Sequence, residues 1–140
     1  MDDFTKKDME EALRAIASMI GRTEKAGEKF AQGTSQHTLQ KNRLEALNIA
    51  SLLILKELAD SNVMNHYTKG DIEKALAPIS SLISKSEKAQ KKLAKGTWQH
   101  TMLSNNLKAL YIALPLLTKE LSGMSDGKDE KQNINIDIAD

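Results

Sequence analysis

TEKAGEKFAQGTSQHT (residues 23–38) returns 63 positions later as SEKAQKKLAKGTWQHT (residues 86–101). The likeness extends well beyond these stretches. Residues 4–58 align with 67–121 without a gap, and roughly half of the pairs are identical, the mark of an internal repeat. FTKKDMEEAL answers YTKGDIEKAL at the start of each copy, and NRLEALNIA answers NNLKALYIA near its end. One supersecondary unit has been written twice, so whatever the first copy folds into, the second must resemble.

Each copy reads as helix, turn, helix. Thr5 offers a hydroxyl to the free N–H groups of a helix start, and Asp8 stands three residues on, where a carboxylate suits the positive helix end. Phe4 and Met9 are spaced as a hydrophobic staple, and Tyr67, Thr68, Asp71 and Ile72 repeat the arrangement. Downstream, Met9, Leu13, Ile16, Ile20, Thr23, Gly27 and Phe30 recur at 4-3-4-3 spacing, which draws one seam along a helix. The second copy answers with Ile72, Leu76, Ile79, Ile83, Ser86, Gln90 and Leu93. Gly33 and Gly96 are expected to stop these helices, because glycine accepts the left-handed backbone of a C-terminal cap. Thr34 and Thr97 are then placed to cap the next helix of each copy. Its seam runs His37, Gln40, Leu44, Leu47, Ser51, Ile54 and Leu58, matched by His100, Leu103, Leu107, Leu110, Leu114, Leu117 and Leu121.

Two helices joined by a short turn run antiparallel. The expected fold is all-α: an up-down-up-down four-helix bundle built from two tandem αα-hairpin repeats, with an irregular C-terminal tail. The bundle is assigned to residues 1–122 as one domain, with repeats at 4–58 and 67–121, and the tail to 123–140. Pro78 and Pro115, which stand where copy one has Ala15 and Leu52, are expected near one height of the second hairpin, bending it there. In the tail, SDGKDEKQ has the composition of a linker while INIDI alternates like an exposed strand.

Composition narrows the function classes. With 140 residues, 40% of them hydrophobic, the chain is long enough to bury a core. A net charge of +1 gives no reason to expect nucleic acid as a partner. The absence of cysteine excludes disulfides and thiolate metal sites and makes a cytoplasmic location natural. The longest apolar stretch, in LNIASLLILKEL, is too short and interrupted to span a bilayer, so no membrane partner is expected.

The duplicated histidine turn is the natural place to look for chemistry. Both turns of such a bundle emerge at one end, where Gln36, His37, Asn42, Trp98, Gln99, His100 and Asn105 form a candidate ligand site. Antiparallel pairing sets Glu24 level with Asn42, and Glu87 with Asn105, well below the turn. Metal is not expected: di-metal bundles place Glu-x-x-His on a helix face, and here Thr34 and Thr97 stand three residues before the histidines. Nor is there a Gly-x-Ser-x-Gly elbow or a phosphate-cradling glycine loop. The histidines are read more simply as plugs of the bundle's end. No catalytic residue and no cofactor is assigned.

Two surfaces remain. Lys85, Lys88, Lys92 and Lys95 form a stripe that reads as a solvated face, against which the acidic tail could fold. The second helix is apolar beyond its seam, with Ile49, Leu52 and Leu55 widening it and Tyr111 on the matching flank of the fourth helix. These four residues are the candidate interface of a homodimer, or of a complex with another protein. The doubled Thr-Lys-x-Asp, Ser/Thr-Glu-Lys-Ala and Gly-Thr-x-Gln-His-Thr motifs together are similar to those of small tandem-repeat helical proteins of Gram-positive bacteria such as Listeria. That resemblance implies a bacterial helical bundle and carries over no activity. The expectation is a non-enzymatic protein acting through protein–protein interaction or self-association, with metal or small-ligand binding at the His/Gln end as the alternative.

Overall fold

A computed structural model describes residues 4–59 and 67–124. Four helices make up almost all of them: α1 (Lys6–Glu28), α2 (Ser35–Ala59), α3 (Lys69–Lys91) and α4 (Trp98–Gly123). The described residues contain no strand. The expected all-α four-helix bundle is what forms. The tail beyond Met124, with its INIDI segment and its expected contact with the lysines, lies outside the described residues.

The helix starts are those written in the sequence. Thr5 accepts from the Asp8 backbone N–H at 3.0 Å while Asp8 accepts from the Thr5 N–H, a reciprocal capping box. Thr68 and Asp71 form the same box on α3. Thr34 and Thr97 cap the second helices by accepting from the N–H groups of His37 and His100, each at 3.2 Å. The stops differ from expectation by one turn. α1 and α3 end at Glu28 and Lys91, and Gly33 and Gly96 follow inside the turn rather than at the helix end. Both do take the left-handed backbone, at φ 89° and 91°, where a Cβ would clash with the chain itself.

α1 packs on α2 and α3 on α4, as hairpins; α4 also packs on α1, and α2 on α3. The two diagonals are unequal. α2 touches α4, whereas α1 and α3 do not meet. In cross-section the bundle is therefore a lozenge with α2 and α4 on its short diagonal. Small side chains permit this: Ala46 and Ala50 on α2 and their repeat equivalents Ala109 and Ala113 on α4 are all fully buried.

That geometry corrects the expected seams. On α2 the buried stripe is Arg43, Ala46, Leu47, Ala50, Leu53 and Ile54, rotated from the expected line toward α4, while His37, Gln40, Leu44, Ser51 and Leu58 are only half-buried. On α4, Asn106, Ala109, Ile112, Ala113 and Leu116 join Leu107, Leu110 and Leu117 of the expected seam in the core, while Leu103, Leu114 and Leu121 are half-buried. A helix on the short diagonal meets three neighbours, which is why α2 and α4 are apolar over so much of their circumference. The four candidate interface residues stay outside this core: Ile49 and Leu52 are half-buried, and Leu55 and Tyr111 are exposed.

α3 and α4 continue through Pro78 and Pro115. Each proline lacks the N–H that would have bonded four residues back, leaving the carbonyls of Lys74 and Tyr111 without that helical partner.

Candidate functional site

The repeat offset predicts two equivalent crevices, and both exist. One lies between α1 and α4, lined by Asp8, Glu11, Ala12, Ala15, Asn105 and Lys108, among others. The other lies between α2 and α3, where the same positions are Asp71, Lys74, Ala75, Pro78, Asn42 and Glu45. Duplication made them alike; the substitutions between copies made them differ.

The α1·α4 crevice is crossed by an ion network. Lys108 reaches Asp8 at 3.1 Å and Glu11 at 3.9 Å. Asp8, accepting from the Thr5 backbone and from Lys108, is held below the usual carboxylate range. In the α2·α3 crevice the signs are exchanged: Lys108 becomes Glu45 and Glu11 becomes Lys74. Glu45 and Lys74 form no ion pair with each other among the described residues. The arginine at position 14 is matched by Ala77, which removes another long side chain from the opening. The α2·α3 crevice accordingly measures about 650 Å³ against about 420 Å³ for its counterpart. Its wall is apolar, with Leu39, Ile49, Leu52 and Pro78, and its rim is charged. Volume and lining fall in the range of ligand-binding clefts.

The residues expected to form a polar site at the turns are distributed differently. Gln36, Gln99, Asn42 and Asn105 are exposed, Trp98 is 71% exposed, and His37 and His100 are half-buried. Asn42 and Asn105 line opposite crevices. Neither imidazole forms a hydrogen bond or ion pair among the described residues. Phe30, the last residue of the expected seam of the first helix, is 36% exposed. Glu87 is engaged by the Tyr111 hydroxyl, which donates to its carboxylate, rather than paired with Asn105. That contact raises the Tyr111 phenol above its ordinary value. No group of three or more His, Cys, Asp or Glu that could hold a metal occurs among the described residues.

In copy two the turn is additionally tied down by Gln90. Its side-chain amide donates to the His100 carbonyl at 3.3 Å and to the Ser104 hydroxyl at 2.5 Å. Copy one has Gly27 there, where an added Cβ would make ordinary van der Waals contact with the Gln40 side chain at 3.5 Å. The lysine stripe, Lys85, Lys88, Lys92 and Lys95, is exposed throughout.

Of the candidate interface residues, Ile49 and Leu52 are half-buried and line the α2·α3 crevice, while Leu55 is 44% exposed. Tyr111, also 44% exposed, belongs instead to a separate crevice between α3 and α4 with Phe4, Gln90 and Ser104. The sequence reading missed Glu45, Lys74 and Pro78 as neighbours of Ile49. The signal was available in the alignment of the copies, where charges at two positions trade signs.

No helix of the described residues is long and apolar enough to cross a membrane. Comparison with family models, with curated proteins and with solved structures returned no match.

Proposed function

We propose that the protein is a non-catalytic interaction protein whose α2·α3 crevice docks a second copy of the chain. The observation that carries this is the inequality of the two crevices. Where copy pairing would have crossed the α2·α3 groove with an internal ion network, the exchanged charges leave an apolar wall open, with Glu45 and Lys74 not paired to each other among the described residues. A twofold contact requires a self-complementary surface. The rim supplies one, with an acid on α2 (Glu45) and a base on α3 (Lys74) placed to pair crosswise with their symmetry mates. Ile49, Leu52 and Leu55 follow one another at three-residue spacing and continue the apolar strip from the crevice onto the outer face of α2. Apolar burial provides the affinity of such a contact and the crossed charges its register.

Light scattering on the wild type and on Leu52→Asp tests the assignment. The wild type is expected at twice 15.5 kDa, and Leu52→Asp at the monomer mass with unchanged helical circular dichroism. A variant that keeps the wild-type mass removes this crevice from the contact.

A further inference from the structure

Asn106 is out of keeping with its surroundings. It is only 6% exposed, beside the buried Leu107, Ala109 and Leu110 of α4, and its amide forms no hydrogen bond among the described residues. A polar side chain at that depth is normally paired, because its amide otherwise gives up contacts with water and gains none in return. The side chain is not sealed in, however. Asn106 is one of the residues lining the α1·α4 crevice of about 420 Å³. Its repeat equivalent, Arg43, does not line the α2·α3 crevice. The unpaired amide therefore belongs to one groove only.

The charges of that groove point to what the amide could meet. Its lining holds two acids, Asp8 and Glu11, and two bases, Arg14 and Lys108, so it carries no net charge. Lys108 is drawn to Asp8 at 3.1 Å and stands farther from Glu11, at 3.9 Å. Glu11 and Arg14 are three residues apart on α1, the spacing at which opposite charges on a helix meet, yet no ion pair joins them among the described residues. The lining also includes buried Ala12 and Ala109 and half-buried Met102, which are small or adaptable apolar side chains. In the α2·α3 crevice Glu11 and Arg14 are answered by Lys74 and Ala77, so this acid–base pair is particular to the α1·α4 groove.

We infer that the α1·α4 crevice binds a free α-amino acid with an aliphatic side chain. The ligand's ammonium donates to the Glu11 carboxylate, and its carboxylate accepts from the Arg14 guanidinium and from the Asn106 amide on the facing helix. An α-amino acid bears both charges on one carbon, which suits an acid and a base standing side by side on one helix. A zwitterion also leaves the balanced lining balanced, whereas a simple anion or cation adds a net charge to it. The alanines leave the aliphatic side chain space beside Met102, and the volume is that of a small-molecule cleft. The crevice shares no lining residue with the α2·α3 groove, so the site stands independently of the docking proposal.

The test is a titration of the full chain with L-leucine, followed by the side-chain amide signals of Asn106 in nitrogen-edited NMR. These signals are expected to move saturably with L-leucine. Two analogues at the same concentrations isolate the charges: 4-methylpentanoate lacks the ammonium, and 3-methylbutylamine lacks the carboxylate. Each should bind weaker than L-leucine by about tenfold or more. Arg14→Ala and Glu11→Lys write the copy-two residues into copy one at partly or fully exposed positions. Both should keep the wild-type circular dichroism and lose L-leucine binding by a similar factor. The inference is overturned if the Asn106 amide ignores L-leucine, as it would with water as its only partner. It is equally overturned if either analogue binds as tightly as L-leucine, or if Arg14→Ala or Glu11→Lys binds it undiminished.

Discussion

At the scale of single residues, the two copies differ most where a side chain meets water or charge. Tyr67 stands where copy one has Phe4, and its phenol is half-buried near the end of α4. Burial, and secondarily the Glu120 carboxylate, push it up to about 12. Both causes disfavour the phenolate, so the folded chain holds this proton through a window in which the unfolded chain, near 10, has released it. Stability must therefore fall as pH rises from the ordinary tyrosine range toward 12. Denaturant titrations across that window should give a steep decline for the wild type and a shallower one for Tyr67→Phe. Some slope should survive in the variant, because the Tyr111 phenol is raised as well, by its hydrogen bond to Glu87. Identical pH profiles would mean that Tyr67 is not buried as described.

At the scale of elements, the pseudo-twofold axis of the repeat is visible in a pair of crossed ion pairs. Lys56 of α2 reaches Glu120 of α4 at 3.1 Å, and Lys119 of α4 reaches Glu57 of α2 at 2.9 Å. The members of one pair are the repeat equivalents of the other, as parallel helices at one height demand. Lys56 and Glu120 are the better shielded of the two pairs, and breaking theirs should cost about 0.5–1 kcal/mol. Chemical denaturation of Lys56→Glu, Glu120→Lys and the double swap checks this: each single variant loses stability and the double recovers most of it. If the double variant is as weak as the sum of the singles, the two side chains do not interact.

The elements also show what could be read in advance. Helix starts were legible because capping is local: Thr5 with Asp8, and Thr68 with Asp71, need nothing beyond four consecutive residues. The buried face of α2 was less so. A 3.6-residue period locates an apolar stripe, but α2 is apolar on several sides, and only the packing of α2 on α4 decides that Arg43 and Ala50 are interior while Leu44 and Ser51 are not. The turn residues are a related case. Gln36, His37, Gln99 and His100 stand out by chemical type, yet they lie beyond the last buried layer, where the sequence pattern carries no information on convergence.

At the scale of the whole molecule, duplication supplies a scaffold with two equivalent grooves, and divergence makes them unequal in volume and charge. The α1·α4 groove is bridged and narrowed by the ion pairs of Lys108. The α2·α3 groove keeps its apolar wall and carries Glu45 and Lys74 among its lining residues, the two charges that the proposed dimer would pair. Sedimentation equilibrium of the wild type, Glu45→Lys, Lys74→Glu and the double exchange is the most direct test. The account predicts a dimer weakened about tenfold in dissociation constant by each single reversal, since like charges then face each other across the twofold, and restored when both are exchanged in the same chain. A wild-type mass of 15.5 kDa at every concentration, or a double exchange no tighter than either single, contradicts it.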